Sequence, residues 1–404
     1  MAERDSYSAP PDANRIGNIA LAIGIIGIVA WIAAWTMQPE QALRSWLLGF
    51  IFWAGIAIGS IGVLMLQYLT GGAWGVVIRR IAEAASRTLP LILILFLPLA
   101  AGITRLYEWT HLPADDHVMQ HRGWFMTPES WWLRSTLYFA IFFVMMYLLN
   151  KWSSAQDAAK GYDESAKWLT RASRFSGPTM VIFALTVTFA AVDWMMMLDP
   201  HWFSTIWGLL FVAGWALSFF CFAVMVMAFL SDKAPMNRVL GRRHFHDIGK
   251  LMLALVMVWA YFNFSQFLII WSGNLPEETG WYLVRMKGAW GWVGGALILF
   301  HFAFPFLVLL QQDFKRKAKL LSILAAFILF MRLVDMYYLI GPSPRIDSGG
   351  LEPGSFAFSW VDIAAPIGIG GIWLWYFFWQ LKKRPLVPTM DPFFENAIKH
   401  GQSH

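Results

Sequence analysis

Ten stretches of this chain are dominated by apolar side chains over a length that only one solvent requires. A helix needs about 20 such residues to cross a hydrocarbon core of roughly 30 Å. The stretches fall at approximately 16–36, 46–68, 90–110, 131–149, 178–198, 206–230, 248–271, 287–311, 318–340 and 359–380. Their length and continuity predict helices rather than barrel strands, because a helix satisfies its backbone groups within one segment. Pro98, Pro305 and Pro366 fall inside them and predict kinks. Composition agrees: 58% of the residues are apolar and 14% charged, against roughly 45–50% and 25% in soluble domains. The opening MAERDSYSAPPDANRIG has no apolar core and small-residue cleavage site, so no signal peptide is expected there. A formal charge of +6 does not point to nucleic acid, since the cations sit in the connections between apolar runs.

Those cations set an orientation. With the N-terminus in the cytoplasm, 23 of the 31 Lys and Arg fall on the cytoplasmic side and six on the other, with Arg105 and Arg332 inside spans. The positive-inside rule then predicts cytoplasmic N- and C-termini. A weak internal repeat is visible too. LLGFIFWAGIAIG matches IWGLLFVAGWALS, so Gly49, Ala54 and Gly55 align with Gly208, Ala213 and Gly214. VDWMMML likewise matches VDMYYLI, so Asp193 aligns with Asp335. The expected fold is an all-α integral membrane protein of about ten spans, with two parallel four-helix bundles and two flanking helices. The divisions are a cytoplasmic tail over 1–15, a first flanking helix over 16–45 and bundles over 46–198 and 206–340. A last flanking helix over 359–380 and a tail over 381–404 complete the chain.

Ionisable groups inside a membrane are expensive, so each is a functional candidate. Arg105 with Glu108, and Arg332 with Asp335, are each three residues apart, a spacing at which two side chains share a helix face and neutralise one another. Asp193 has no charge three or four positions away and must find a partner on another helix or hold a proton. Asp362 opens the last span, and Asp199 before Pro200 reads with His201 as a turn. His301 lies near the middle of span eight and can relay protons near neutral pH, toward Asp335 or Asp193. His244, His246, Asp247 and Lys250 form a solvated loop or, on the sharper reading, a cytoplasmic proton mouth. The GGAWG segment lacks the Lys-Ser/Thr of a phosphate loop and reads as a turn before an amphipathic stretch, WGVVIRRIAEAASR, lying along the inner interface. The single cysteine, Cys221, excludes a four-thiolate iron–sulfur cluster and a Cys-x-x-Cys-His haem attachment. One deep histidine leaves a b-type haem without its second ligand. No cofactor or metal is therefore expected on this chain.

Ten spans, two four-helix units and the strings VDWMMMLDPHWFSTIWG (192–208) and LQYLTGGAWGVVIRRIAEAASRTLP (66–90) together resemble the NrfD/polysulfide-reductase-type membrane subunits. The resemblance covers the whole chain and is nearest to the smaller of the two such subunits in bacterial alternative complex III. It implies a bacterial inner-membrane quinol:electron-acceptor oxidoreductase with cytochrome c or an oxidase as acceptor. It also implies a sister NrfD-like subunit, an extracytoplasmic iron–sulfur subunit and c-haem subunits, with a terminal oxidase and lipids as further neighbours. Quinol then belongs to the complex, and iron–sulfur clusters and c-type haems to the partners. Span four, WWLRSTLYFAIFFVMMYLLN, carries no histidine for a quinol, so the expected role is scaffold and proton path. Two other readings stay open: a secondary transporter or channel using Asp193 and Asp335, and a purely structural anchor.

Overall fold

A computed structural model describes residues 7–346 and 355–402. Arg4 and the start of the expected N-terminal tail lie outside the described residues, as do the last two residues of the C-terminal tail. The described residues form helices and connections, with no strand among them. The helices are α1 (Asp12–Met37), α2 (Pro39–Thr70), α3 (Ala73–Ser86), α4 (Leu89–Ala101), α5 (Ile103–Leu106), α6 (His117–Arg122), α7 (Pro128–Asp157) and α8 (Tyr162–Trp194). They continue with α9 (Trp207–Ser231), α10 (Arg242–Gly273), α11 (Pro276–Met286), α12 (Gly288–Ala296), α13 (Phe304–Leu310), α14 (Gln312–Lys315), α15 (Ala318–Ile340), α16 (Val361–Leu381) and α17 (Phe394–Gln402). A π-helical turn, Leu297–Ala303, joins α12 to α13 into one span. Among the described residues nine helices are long and apolar enough to cross a membrane, and α3 with α4, bent 41° at their junction, adds a tenth.

The spans sort by what they touch. Helices α2 and α9 pack on each other and on members of both units, and 83% and 78% of their most apolar stretches are buried. They form the shared centre. Their approach is close because a side chain at Gly55 would overlap the indole of Trp215, as small residues permit at helix crossings in lipid. Around this centre, α4, α7 and α8 complete one unit, while α10, the α12–α13 span and α15 complete the other. Helices α1 and α16 pack against each other, and α16 also lies on α2. Tyr7 accepts a hydrogen bond from the Leu386 amide at 2.8 Å, so both ends of the described chain meet at one end of the molecule.

Three expectations need correction. Span three is shorter than 90–110: α4 stops at Ala101, where Gly102 and the extended Tyr107 interrupt the helix on either side of α5. Arg105 and Glu108 therefore share no helix face; Arg105 is exposed and no ion pair joins them. The stretch WGVVIRRIAEAASR does not lie on the interface, for Arg79, Arg80 and Glu83 are all buried. There Arg79 pairs with Asp391 at 2.6 Å, and Arg80 with Glu83 at 2.7 Å and Asp157 at 2.5 Å. An amphipathic helix whose polar face meets partners of opposite charge is buried on both faces, and the pattern alone cannot separate that from an interfacial helix. Finally, of the six cations that the sequence assigns to the side opposite the termini, Arg44, Arg122, Arg134 and Arg285 lie in helices and not in open connections. Arg44 is buried and bonds Glu40 at 3.1 Å and the Ser343 carbonyl at 3.2 Å.

Candidate functional site

Asp193 sits at the end of α8, and its partner comes from another helix, as its isolation on its own helix requires. Arg134, in the second turn of α7, gives Nε to Oδ2 at 2.7 Å and Nη2 to Oδ1 at 3.0 Å. The Tyr138 hydroxyl, one turn further along α7, also donates to Oδ2 at 2.7 Å. The remaining guanidinium nitrogen donates to the Phe125 carbonyl and the Ser130 hydroxyl, both at 2.9 Å. Even the Asp193 carbonyl is used, accepting from the Trp131 indole at 3.0 Å. A bidentate, fully bonded pair of this kind is a strong cross-helix contact.

Asp335 is placed differently. It pairs with Arg332 on its own helix, as the spacing predicts, and Trp259 of α10 donates to the same oxygen at 3.0 Å. Both bonds go to Oδ2, and Oδ1 accepts none among the described residues. Arg332 lies against α9 at Gly214, where any side chain would overlap the guanidinium. On the other side of Trp259 stands His301, its ring 4.1 Å from the indole centroid to centroid. His301 is fully buried, and neither ring nitrogen has a hydrogen-bond partner among the described residues. Arg332 Nε is likewise unpartnered. His301 lies on the π-helical turn, four residues before Pro305, which has no N–H to give to the His301 carbonyl. Such π turns concentrate at functional sites. An imidazole with two free nitrogens, one indole away from a carboxylate with a free oxygen, is equipped to exchange protons. It is poorly shaped for a quinol ring, because Trp259 already covers the imidazole face.

The structure shows no direct contact along the expected relay. His301 and Asp335 are joined through Trp259 and not by a direct bond, and Asp193 belongs to the other unit. Asp362 is saturated, receiving Gln41 at 2.7 Å, Ser45 at 2.5 Å and the Ser359 amide at 2.9 Å, and so ties α16 to α2. Asp199 and His201 do lie in a turn between helices, where His201 reaches Asp116 at 3.3 Å. There the Val118 amide and His201 hold the Asp116 carboxyl below the usual range.

At the end holding the termini, Asp247 gathers Lys250 at 3.4 Å, His246 at 3.8 Å and His400 of α17 at 2.7 Å. His244 is buried and its Nε2 lies 2.9 Å from the Ala397 carbonyl. This cluster seats the C-terminal helix. Twelve residues separate Asp247 from Trp259, about 18 Å of helix at 1.5 Å per residue, so the cluster makes no direct link to His301. Among the described residues no group of three or more His, Cys, Asp or Glu could hold a metal ion. Sequence reasoning missed Arg134, Tyr138, Trp259 and Gly214. Only Gly214 carried a trace, through its place in the internal repeat. Comparison with family models and with curated proteins gives no match to this chain.

Proposed function

We propose that this chain is a membrane subunit of a multisubunit quinol:electron-acceptor oxidoreductase of the NrfD/polysulfide-reductase type, providing scaffold and a proton-conducting segment. The observation that carries this reading is the buried His301–Trp259–Asp335–Arg332 group, with its unpartnered imidazole in the apolar interior. A buried polar group without a partner costs free energy and persists where function requires it. His301 and Asp335 pass protons between water and the middle of the second unit. Electrons are left to iron–sulfur and c-haem partners, and quinol to a sister subunit, since the only imidazole deep in a span among the described residues is covered by an indole. The cation-rich end faces the cytoplasm of a bacterial inner membrane by the positive-inside rule.

Purification in mild detergent tests the assignment to a complex. Co-purification with c-haem absorbance is the expected outcome, and recovery of a lone protein that moves a solute in liposomes overturns it. Secondary transport draws on one feature, the interruptions at Gly102 and at the π turn, since transporters bind at broken helices. The liposome assay separates the two. Within an intact complex, Asp335→Asn and His301→Phe should lower proton uptake per quinol oxidised. Unchanged stoichiometry in both would leave only a structural anchor.

A further inference from the structure

Helix α8 has 33 residues, about 50 Å at 1.5 Å per residue against a hydrocarbon core of roughly 30 Å. Its first turns therefore stand beyond the apolar core, at headgroup level. They carry Lys167, Arg171 and Arg174 on one face, all three exposed and none in an ion pair among the described residues. Arg171 is held over the rings of Trp152 and Trp168. Beside Arg174 a groove of about 350 Å³ opens between the end of α2, α3 and α8. In its wall lie Gln67, Tyr68 and Arg79, each more than nine-tenths buried. The Gln67 Oε1 and Arg79 Nε have no hydrogen-bond partner among the described residues. Its rim is apolar, with the exposed side chains of Leu69 and Phe393. The acids on the adjoining stretch of helix, Asp163 and Glu164, are eleven and ten residues from Arg174, or about 15 Å or more along the axis.

Unpaired cations, unpartnered buried polar atoms and an apolar edge at one level describe the complement of an amphipathic anion. We propose that this groove binds the headgroup of an anionic phospholipid. The phosphate lies against Arg174, the glycerol faces Gln67, and the acyl chains run down past Leu69. Basic pockets between helices at the cytoplasmic face are suited to such headgroups.

Native mass spectrometry of the full-length protein, titrated separately with phosphatidylglycerol, phosphatidylcholine and inorganic phosphate, tests the assignment. Phosphatidylglycerol should bind, and Arg174→Gln should weaken it about fivefold, the worth of one cation at a membrane surface. Thr70→Trp, at an exposed site on the rim, should cause a similar loss without touching any charge. Lys399→Gln, on α17, should leave binding unchanged. Equal retention of phosphatidylcholine, undiminished binding by a folded Arg174→Gln and Thr70→Trp, or displacement of phosphatidylglycerol by equimolar phosphate would each overturn it. The last result would mark a simple anion site instead.

Discussion

Asp193 and Asp335 occupy matching places in the fourth helix of each unit, yet their surroundings have opposite logic. Around Asp193 every polar atom of the carboxylate and of Arg134 is used, across two helices, with a tyrosine and a tryptophan added. Around Asp335 the cation comes from the same helix, one oxygen is left over, and the neighbouring imidazole is bare. A saturated cluster fixes two helices at one spacing and has no vacancy for a proton to enter. An unsaturated cluster gives up some stability and leaves its imidazole nitrogens open. Two carboxylates that the sequence aligns thus sit in two different surroundings.

The contrast can be broken by substitution. The largest effect is expected from Arg134→Leu, which leaves Asp193 buried without its cation; removing one member of such a pair costs about 3–5 kcal/mol. Thermal unfolding in detergent would register it. Tyr138→Phe deletes one hydrogen bond to the same carboxylate and should cost about 1.5–3 kcal/mol in the same assay. Gly214→Ala pushes a methyl into Arg332, and overpacking of this kind costs about 1–3 kcal/mol. Its distinguishing readout is proton uptake, which should fall with Gly214→Ala but hold with Gly55→Ala, where the collision is with Trp215. His301→Phe should change stability least, within about 1 kcal/mol, because an apolar ring of similar shape replaces nitrogens that bond nothing. It should nonetheless lower proton uptake. A loss of stability with His301→Phe as large as with Arg134→Leu would erase the distinction between the two clusters.

What the sequence made readable was whatever depends on solvent and period. The ten apolar runs follow from the length a bilayer demands, and the need of Asp193 for a partner on another helix follows from its isolation. The identity of that partner was hidden because Arg134 sits 59 residues away on a different helix, and nothing in local spacing links the two. The separation of Arg105 from Glu108 was hidden because a three-residue spacing assumes an unbroken helix, which Gly102 and Tyr107 deny. Helix α3 misled for a related reason: its cations meet acids at positions 157 and 391, and such distant pairings leave no mark on local pattern. The π turn at His301 has no local pattern beyond the proline that follows it.

The pairing of Arg79 with Asp391 has a consequence for biogenesis. Residue 79 leaves the ribosome before most of the spans exist, while its acid lies beyond all of them. Through much of synthesis that guanidinium must wait beside a half-built bundle, keeping its place near water until segment 384–402 closes over it. Chain ends therefore act as a completion seal: a protein cut short before Asp391 would display an unanswered cation at the membrane face.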